Sequence, residues 1–518
     1  MTIIKRCSCL MALWLVIGFT QFSSVVFAQT GDDALRFNQR FPGVTAANAG
    51  IGGVGFAGVR DGASLVLNPA GMGLVSSGMF SGSLAWGNAK NEAVYTVSDY
   101  SSTSEASKSE FTIGDLTYLY KAPTSRGSLV FGAAFHQLNS WERILVFKGE
   151  NPVNSITDFF MPVAGEFEIL EDSQGLYPDF SRSISFIAYE TFAIDFDENL
   201  YDNGDPVPFL PAVRAGTVQQ ASRVEESGKM REFSFGAAYE ASKGVFLGVS
   251  LNIPYGTYRF LRVFEEDDIY DHNNGQNGTT DFDYLTYVDE FSSEILGVNA
   301  RFGVIGYVTP AFRLGANVET PTSMSIEESY STRLSTVFDN GDTFEYGGGI
   351  EDEGQGVFKY TLTSPWRIGV GAAYESPKFL AMFDVEWIDW SSMRYKSPST
   401  NFSVVNAQIS DQLVAVFSTK VGFEYRFSKL DIRAGFGYTP DPHGDRADTP
   451  ANPTVDEERS YASFGLGYKF NRMFRADIGW IGEQYKEIYQ PYTEVEGAPV
   501  VREEHTRGRV LVGVSVLF

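Results

Sequence analysis

A chain of 518 residues carries 40 Lys and Arg against 65 Asp and Glu, a formal charge of −25, with 52 Gly, 42 Phe and 26 Tyr. Such acidity excludes nucleic acid as the natural partner, because a phosphate backbone is bound by basic surface. Only two cysteines, Cys7 and Cys9, are present, so a small disulfide-stapled domain is excluded as well.

Residues 1–28 have the three parts of a secretory signal: Lys5 and Arg6, an apolar run from Leu10 to Phe19, and small residues ending Val26-Phe27-Ala28. The chain is therefore expected to be exported. Both cysteines fall inside this leader, and neither ends the apolar run, where a lipoprotein signal would place one. Without Lys5 and Arg6 the mature chain holds 38 basic against 65 acidic residues, a formal −27. No later stretch approaches the roughly 20 apolar residues of a spanning helix, so any membrane crossing must use strands.

Residues 29–76 follow as a compact, weakly apolar unit. From Ala46 to Gly73 the sequence AANAGIGGVGFAGVRDGASLVLNPAGMG has Arg60 and Asp61 as its only charges. Small residues pack tightly but bury little area, so this stretch needs an enclosure. Gly53 to Gly58 matches the GxGxxG fingerprint, which binds dinucleotides only where a strand turns into a helix within a βαβ unit. No such unit follows, and the glycines are read as permitting close backbone packing. Asn68 can cap neighbouring amides and Pro69 fixes the backbone, which suits a chain leaving this unit for a first strand.

Residues 77–518 repeat segments of about ten residues with period-two alternation, the pattern of a transmembrane β-barrel. Val510, Val512, Val514, Val516 and Phe518 share one face, with Arg509 and Leu511 on the other. Trp366, Ile368, Val370, Ala372 and Tyr374 oppose Arg367, Gly369, Gly371 and Ala373; Phe379, Ala381, Phe383, Val385 and Trp387 oppose Asp384 and Glu386; Ile432, Ala434, Phe436 and Tyr438 oppose Asp431 and Arg433. Charge stays on one face, as a lumen allows. Short turns at 123–127, 241–244, 309–312, 375–378, 427–430 and 471–474 alternate with long polar segments at about 89–110, 140–230, 261–292, 329–354, 391–412, 441–458 and 487–503. Counting between them gives about fourteen strands, an even number that leaves both ends on the periplasmic side.

The Asn68-Pro69-Ala70 motif, downstream of a glycine-rich run and a secretory leader, resembles the N-terminal hatch of the FadL/TodX (OMPP1) family of outer-membrane transporters. Ser364 to Gly371, followed by Asp384 to Trp390, is similar to a strand pair of that family, as is Arg433 to Pro440, and the terminal Phe518 looks like a barrel-assembly signal. The resemblance implies a fourteen-strand barrel in a Gram-negative outer membrane, plugged by its N-terminal hatch. It implies passive uptake of hydrophobic molecules, long-chain fatty acids or aromatic hydrocarbons, with binding between plug and wall and a sideways exit. Expected partners are that ligand, outer-membrane lipid and lipopolysaccharide, and the barrel-assembly machinery; the protein is expected to be a monomer without a cofactor. Phe56, Val59 and Leu65 are the expected ligand contacts, supported by Asn68, Pro69 and Ala70. Two alternatives remain open: a PorV-like scaffold for secreted surface proteins, and an open porin, which a plug argues against.

Other patterns carry less. Asp195, Asp197, Asn199 and Asp205 have spacing loosely like a calcium loop without its twelfth-position Glu, and a second acidic run spans Glu265 to Asp283. Within 140–230, Ile184, Ile187, Ala188 and Phe192 lie near helical spacing beside Phe159, Phe160 and Met161, forming either a satellite core or a groove that collects ligand. His136, His272, His443 and His505 are scattered, and neither HExxH nor GxSxG occurs, so catalysis is not expected. Asp384 and Glu386 are read as lumen carboxylates paired with inward arginines.

Overall fold

The computed structural model describes residues 30–173, 175–273, 282–349, 354–444, 448 and 453–518. The leader and its cysteines lie outside the described residues, as do residues 274–281 of the acidic run. Fourteen antiparallel wall strands close on themselves. They are β1 (Met79–Val97), β2 (Tyr100–Ala122), β3 (Leu129–Ser140, with an outer arm Arg143–Asn151), β4 (Val218–Ser242) and β5 (Val245–Asp267). Then come β6 (Phe282–Tyr307), β7 (inner arm Phe312–Glu319, outer arm Ser323–Phe338) and β8 (outer arm Gln355–Thr363, inner arm Arg367–Glu375). The circuit ends with β9 (Phe379–Asp389), β10 (Ala415–Phe427), β11 (Leu430–Thr439), β12 (Arg459–Lys469), β13 (Phe474–Tyr489) and β14 (Val500–Leu517). Closure runs from Met79↔Leu517 to Thr96↔Val500, so neither terminal strand leaves an open edge in lipid.

The alternation decides which face meets lipid. Phe80, Leu84 and Trp86 of β1, Val249 and Leu251 of β5, and Val512 and Val514 of β14 are exposed, while Arg313, Arg433 and Arg509 on inward positions are buried. Outward apolar side chains form the belt of about 25 Å that a bilayer requires. The walls are uneven in height: β6 has 26 residues and β11 has 10.

The short turns fall where the sequence places them, but several long polar segments are wall rather than loop. Residues 89–110 continue the β1–β2 hairpin, pairing out to Val97↔Tyr100, and much of 261–292 and 329–354 is strand. Above the belt both strand faces meet water or the cap, so the lipid-facing alternation that identifies a spanning strand fades.

Inside the wall lies the N-terminal segment. Helix α1 (Gly31–Asn38) starts on a capping box: Thr30 accepts from the Asp33 amide at 3.2 Å, and the Asp33 carboxylate accepts from the Thr30 amide at 2.9 Å. Beyond it the chain reaches β1 through short helical turns at Ala46–Gly50, Ser64–Leu67 and Pro69–Leu74. These turns leave many carbonyls without internal donors, and inward wall side chains supply them. Arg313 Nε donates to Ala57 O at 2.7 Å, Tyr461 Oη to Gly52 O at 2.8 Å and Arg509 Nη1 to Gly43 O at 3.2 Å. Close approach also needs wall residues without side chains: a Cβ at Gly303 would meet Asn68, and one at Gly315 the Phe56 carbonyl.

Candidate functional site

Asn68 and Asp384 fasten the segment to the wall. Asn68 is fully buried; its Nδ2 lies 2.6 Å from Phe56 O and 3.2 and 3.3 Å from the Ala316 and Val304 carbonyls of β7 and β6, while its Oδ1 accepts from the Ala70 amide at 3.1 Å. Pro69 opens the turn that follows, where its missing N–H is no loss. Asp384 corrects the expectation of an arginine partner: its Oδ2 accepts from the amides of Gly55 and Phe56, the latter at 3.0 Å. A glycine-rich turn presents adjacent N–H groups, and a carboxylate satisfies both.

Between this segment and the wall is a cavity of about 130 Å³. Its lining includes Gln39, Arg40, Phe41, Phe56, Leu138, Trp390, Arg367, Glu386 and Lys420. Arg40 pairs with Glu319, which Arg301 also holds at 2.7 Å. Arg367 and Lys420 both face Glu386, at 3.7 and 4.0 Å, neither in tight contact with it. A second cavity of about 160 Å³ above it shares Gln39, Glu457 and Arg459 with the first.

Below, at the periplasmic end, a third cavity of about 400 Å³ is lined by eleven charged side chains. Glu375 takes Arg60 at 2.6 Å and Arg426 at 2.9 Å; Arg433 is held by Glu424 at 2.6 Å and Asp477 at 2.8 Å. A solute leaving straight downward would cross this ionic floor.

The wall beside the first cavity is incomplete. The β2–β3 ladder stops at Asp115↔His136, although β2 runs on to Tyr100. There β3 carries an irregularity between Gln137 and Asn139, and its outer arm continues along β4. Phe111 and Ile113, both exposed, place this break within the lipid belt. Its outer end is crossed by Lys108–Glu142 at 2.9 Å and Lys229–Glu110 at 3.0 Å. From inside, Phe41 stands behind it: the Phe41 amide donates to Leu138 O at 2.8 Å, its ring lies 4.6 Å from the Arg509 guanidinium, and it lines both the central cavity and a small one at the break.

The sequence-predicted contacts separate. Phe56 lines the central cavity, Val59 lines the charged lower one, and Leu65 packs with Met72 against the wall. Asn38 to Phe41, which touch the break and the cavity, carry no motif and were not singled out. A hydrophobic residue following a polar Asn-Gln-Arg stretch at the end of a capped helix was the available signal.

The remaining candidates are structural. Asp197 caps a helical turn, accepting from Asn199 and Leu200 amides at 2.8 and 3.1 Å, and Asp205 accepts from the Val207 amide at 2.9 Å; with Asp195 in a short strand, these oxygens serve backbone groups rather than one centre. Among the described residues no group of His, Cys, Asp and Glu is arranged to hold a metal. Ile184, Ile187 and Ala188 lie on a helix, Ser183–Glu190, and bury with Phe160 against Phe264, Tyr287 and Val501 as a cap core, while Phe192 is exposed. Glu266 latches this cap, accepting from Ser155 Oγ, from Gln220 Nε2 at 2.6 Å and from the Ile156 amide at 3.1 Å. Burial outweighs those donors and pushes its carboxyl up to about 7. Burial would depress His443, but hydrogen bonds to Asp32 and Asp441 and the Glu457 charge hold its imidazolium up to about 9.

A family model described as outer membrane protein transport protein (OMPP1/FadL/TodX) matches residues 219–492, more than half of the chain. Among solved structures, the chain is similar to the Pseudomonas putida toluene transporter TodX, with a TM-score of 0.52, 14% identity and coverage of 92% of this chain and 99% of that one. It is likewise similar to a Pseudomonas aeruginosa FadL homologue, with a TM-score of 0.52, 11% identity and coverage of 93% and 99%. At these identities the likeness is one of fold. No curated protein sequence matches the chain. A closed barrel with a lipid belt and the sequence match together establish that this chain belongs to the OMPP1/FadL/TodX family of outer-membrane transport proteins for hydrophobic compounds.

Proposed function

We propose that residues 29–76 act as a plug in a barrel formed by residues 77–518, and that the protein passes hydrophobic carboxylates, long-chain fatty acids foremost, inward by passive diffusion. The ligand enters from the loops, binds between plug and wall, and leaves sideways between β2 and β3. One observation carries this reading: the β2–β3 ladder lapses inside the lipid belt, and Phe41 lines both the small cavity at the break and the central cavity behind it. Unpaired backbone in lipid costs several kcal/mol per group, so such a lapse is not an idle defect. The ionic floor below supports a lateral route, since an apolar chain gains nothing by crossing it.

The charge arrangement favours a carboxylate over a neutral aromatic. Lys420 stands 4.0 Å from Glu386, beyond hydrogen-bond distance, so a ligand carboxylate can take up a charge-assisted hydrogen bond that this ammonium leaves unmade at rest. Phe56 lies 5.9 Å from Lys420 and offers apolar contact beside it. The TodX structure is that of a toluene transporter, and neutral monoaromatics are the alternative ligand class. A surface scaffold would draw on the cap, whose core is closed. Uptake of labelled fatty acids and of toluene by a deletion strain, with and without the gene restored, tests the proposal: restored fatty-acid uptake is expected, and equal uptake in both strains would refute it.

A further inference from the structure

The wall lapses at a second place, on β8. Toward β7, pairing stops at Glu319↔Arg367 and resumes at Ser323↔Thr363. Toward β9 it stops at Arg367↔Ile388 and resumes only at Thr363↔Arg394 on a short separate strand. Residues 364–366 therefore have no ladder partner on either side. The β7–β8 register is the same above and below, so nothing has slipped. Pro321 and Pro365 fall opposite one another, and each removes a backbone donor from the seam.

The inward face also changes phase here. On the inner arms Arg313, Asn317, Glu319 and Arg367 are buried; on the outer arms Met324, Ile326, Tyr360 and Leu362 are, so odd positions give way to even ones on both strands. Two hydrogen bonds cross the seam: the Ser364 amide to Thr322 O at 3.0 Å, and the Thr322 amide to Ser364 Oγ at 2.7 Å. Trp366 is 49% exposed beside the belt residues Ile368 and Val370, at a depth that suits an interfacial indole. Directly inside, β9 ends in the short turn Trp390–Ser392. The Trp390 ring is 4% exposed, lies 5.4 Å from the Arg367 guanidinium, and lines the central cavity; its Nε1 is buried without an acceptor.

We propose that this seam is a second portal, shuttered by the Trp390 indole, through which a hydrophobic chain dissolved in the surrounding leaflet exchanges with the central cavity. The inference rests on that cavity being the ligand site. Parting β7 from β8 at this level forfeits only two hydrogen bonds, one of them to a side chain, because the prolines have no N–H to strand in lipid. Turning an indole aside changes no backbone dihedral, so the portal opens without disturbing the β2–β3 break.

The test uses the protein reconstituted in phospholipid vesicles with photoreactive diazirine palmitate dissolved in the bilayer, and maps the labelled peptides by mass spectrometry. The lipid-facing Trp366 peptide serves as the internal control, and heat-modifiable gel migration confirms folding. Cavity labelling at Ile388 to Trp390 is expected. A disulfide in the Thr322→Cys/Ser364→Cys variant should lower it to the share that enters between β2 and β3, reductant should restore it, and Trp390→Ala should raise it severalfold. Should the double variant fail to fold, Trp390→Ala carries the test alone. Cavity labelling that neither variant alters would overturn the portal and leave the ligand site standing. Absence of cavity labelling in every variant would overturn both.

Discussion

The two breaks in the wall differ in what holds them shut. Between β2 and β3 the ladder stops at Asp115↔His136, beyond which the outer arm of β3 meets β2 through side chains, Ser102 and Ser104 donating to the Lys148 and Val146 carbonyls, and the opening is bridged by ion pairs and backed by Phe41. On β8 the strands keep their register and only the ladder lapses, with Trp390 behind it. The first needs a separate chain segment to close it. The second is local, and one side chain suffices. Both meet the same few residues: the Asn38 carbonyl accepts from Arg367 below the β8 seam, Arg40 pairs with Glu319 at that seam, and the Phe41 amide reaches Leu138 at the β3 break. A four-residue stretch thus spans the lumen from one break to the other.

Arg40→Ala should have the largest effect, because it releases this stretch at its centre. Breaking one member of a buried ion pair costs about 3 kcal/mol, and Arg301 still partners Glu319, so the cost should not exceed that. Thermal unfolding should shift downward, and protease should reach the N-terminal segment sooner. Phe41→Ala should then separate the two breaks: about 2 kcal/mol is lost, as for truncating a partly buried aromatic. Fatty-acid transfer through the β2–β3 break should quicken, while cavity labelling through β8 stays as it was.

Lys420→Gln should weaken retention of a fatty acid about tenfold, the worth of one charge-assisted hydrogen bond, and leave toluene unaffected. Equal loss for both ligands would show that Lys420 acts through packing around Phe56. The smallest effect on either break is expected at the cap. The Glu266 carboxyl is raised in the docked cap, so its contribution is fully present below about pH 4.5 and is lost as pH rises through about 7. Asp158, Tyr95 and Tyr492 lie close enough to it to interact. Protection against hydrogen exchange at Ile184 to Ala188, taken relative to the intrinsic amide rate at each pH, should be lower at pH 8 than at pH 5, a difference that Glu266→Gln removes, with uptake through either break unchanged.

How much of this was legible depended on whether lipid touched the residue. Val512, Phe383 and Ile432 were assigned to the outer face correctly because a bilayer enforces strict alternation. Outside the belt that constraint lapses, and Ala89 to Val97 read as loop although it is strand. Pro365 lies within the Ser364 to Gly371 stretch that resembles a family strand. Pro254 sits within the continuous span of β5, so a proline alone does not reveal a two-sided lapse. Phe56 was found because it lies in the glycine-rich motif. Phe41 was missed because its role depends on Leu138, ninety-seven positions away, turning its carbonyl inward.

The central claim is that net uptake runs between β2 and β3, and only when the N-terminal segment releases the ligand, the β8 seam exchanging chains with the leaflet alone. Cysteines at Phe41 and Leu138, whose backbones already share a hydrogen bond, can tie that segment to β3 in a deletion host. With the disulfide formed, uptake of labelled fatty acid should stop, and reductant should restore it. Uptake at the wild-type rate with the tie intact would contradict the account.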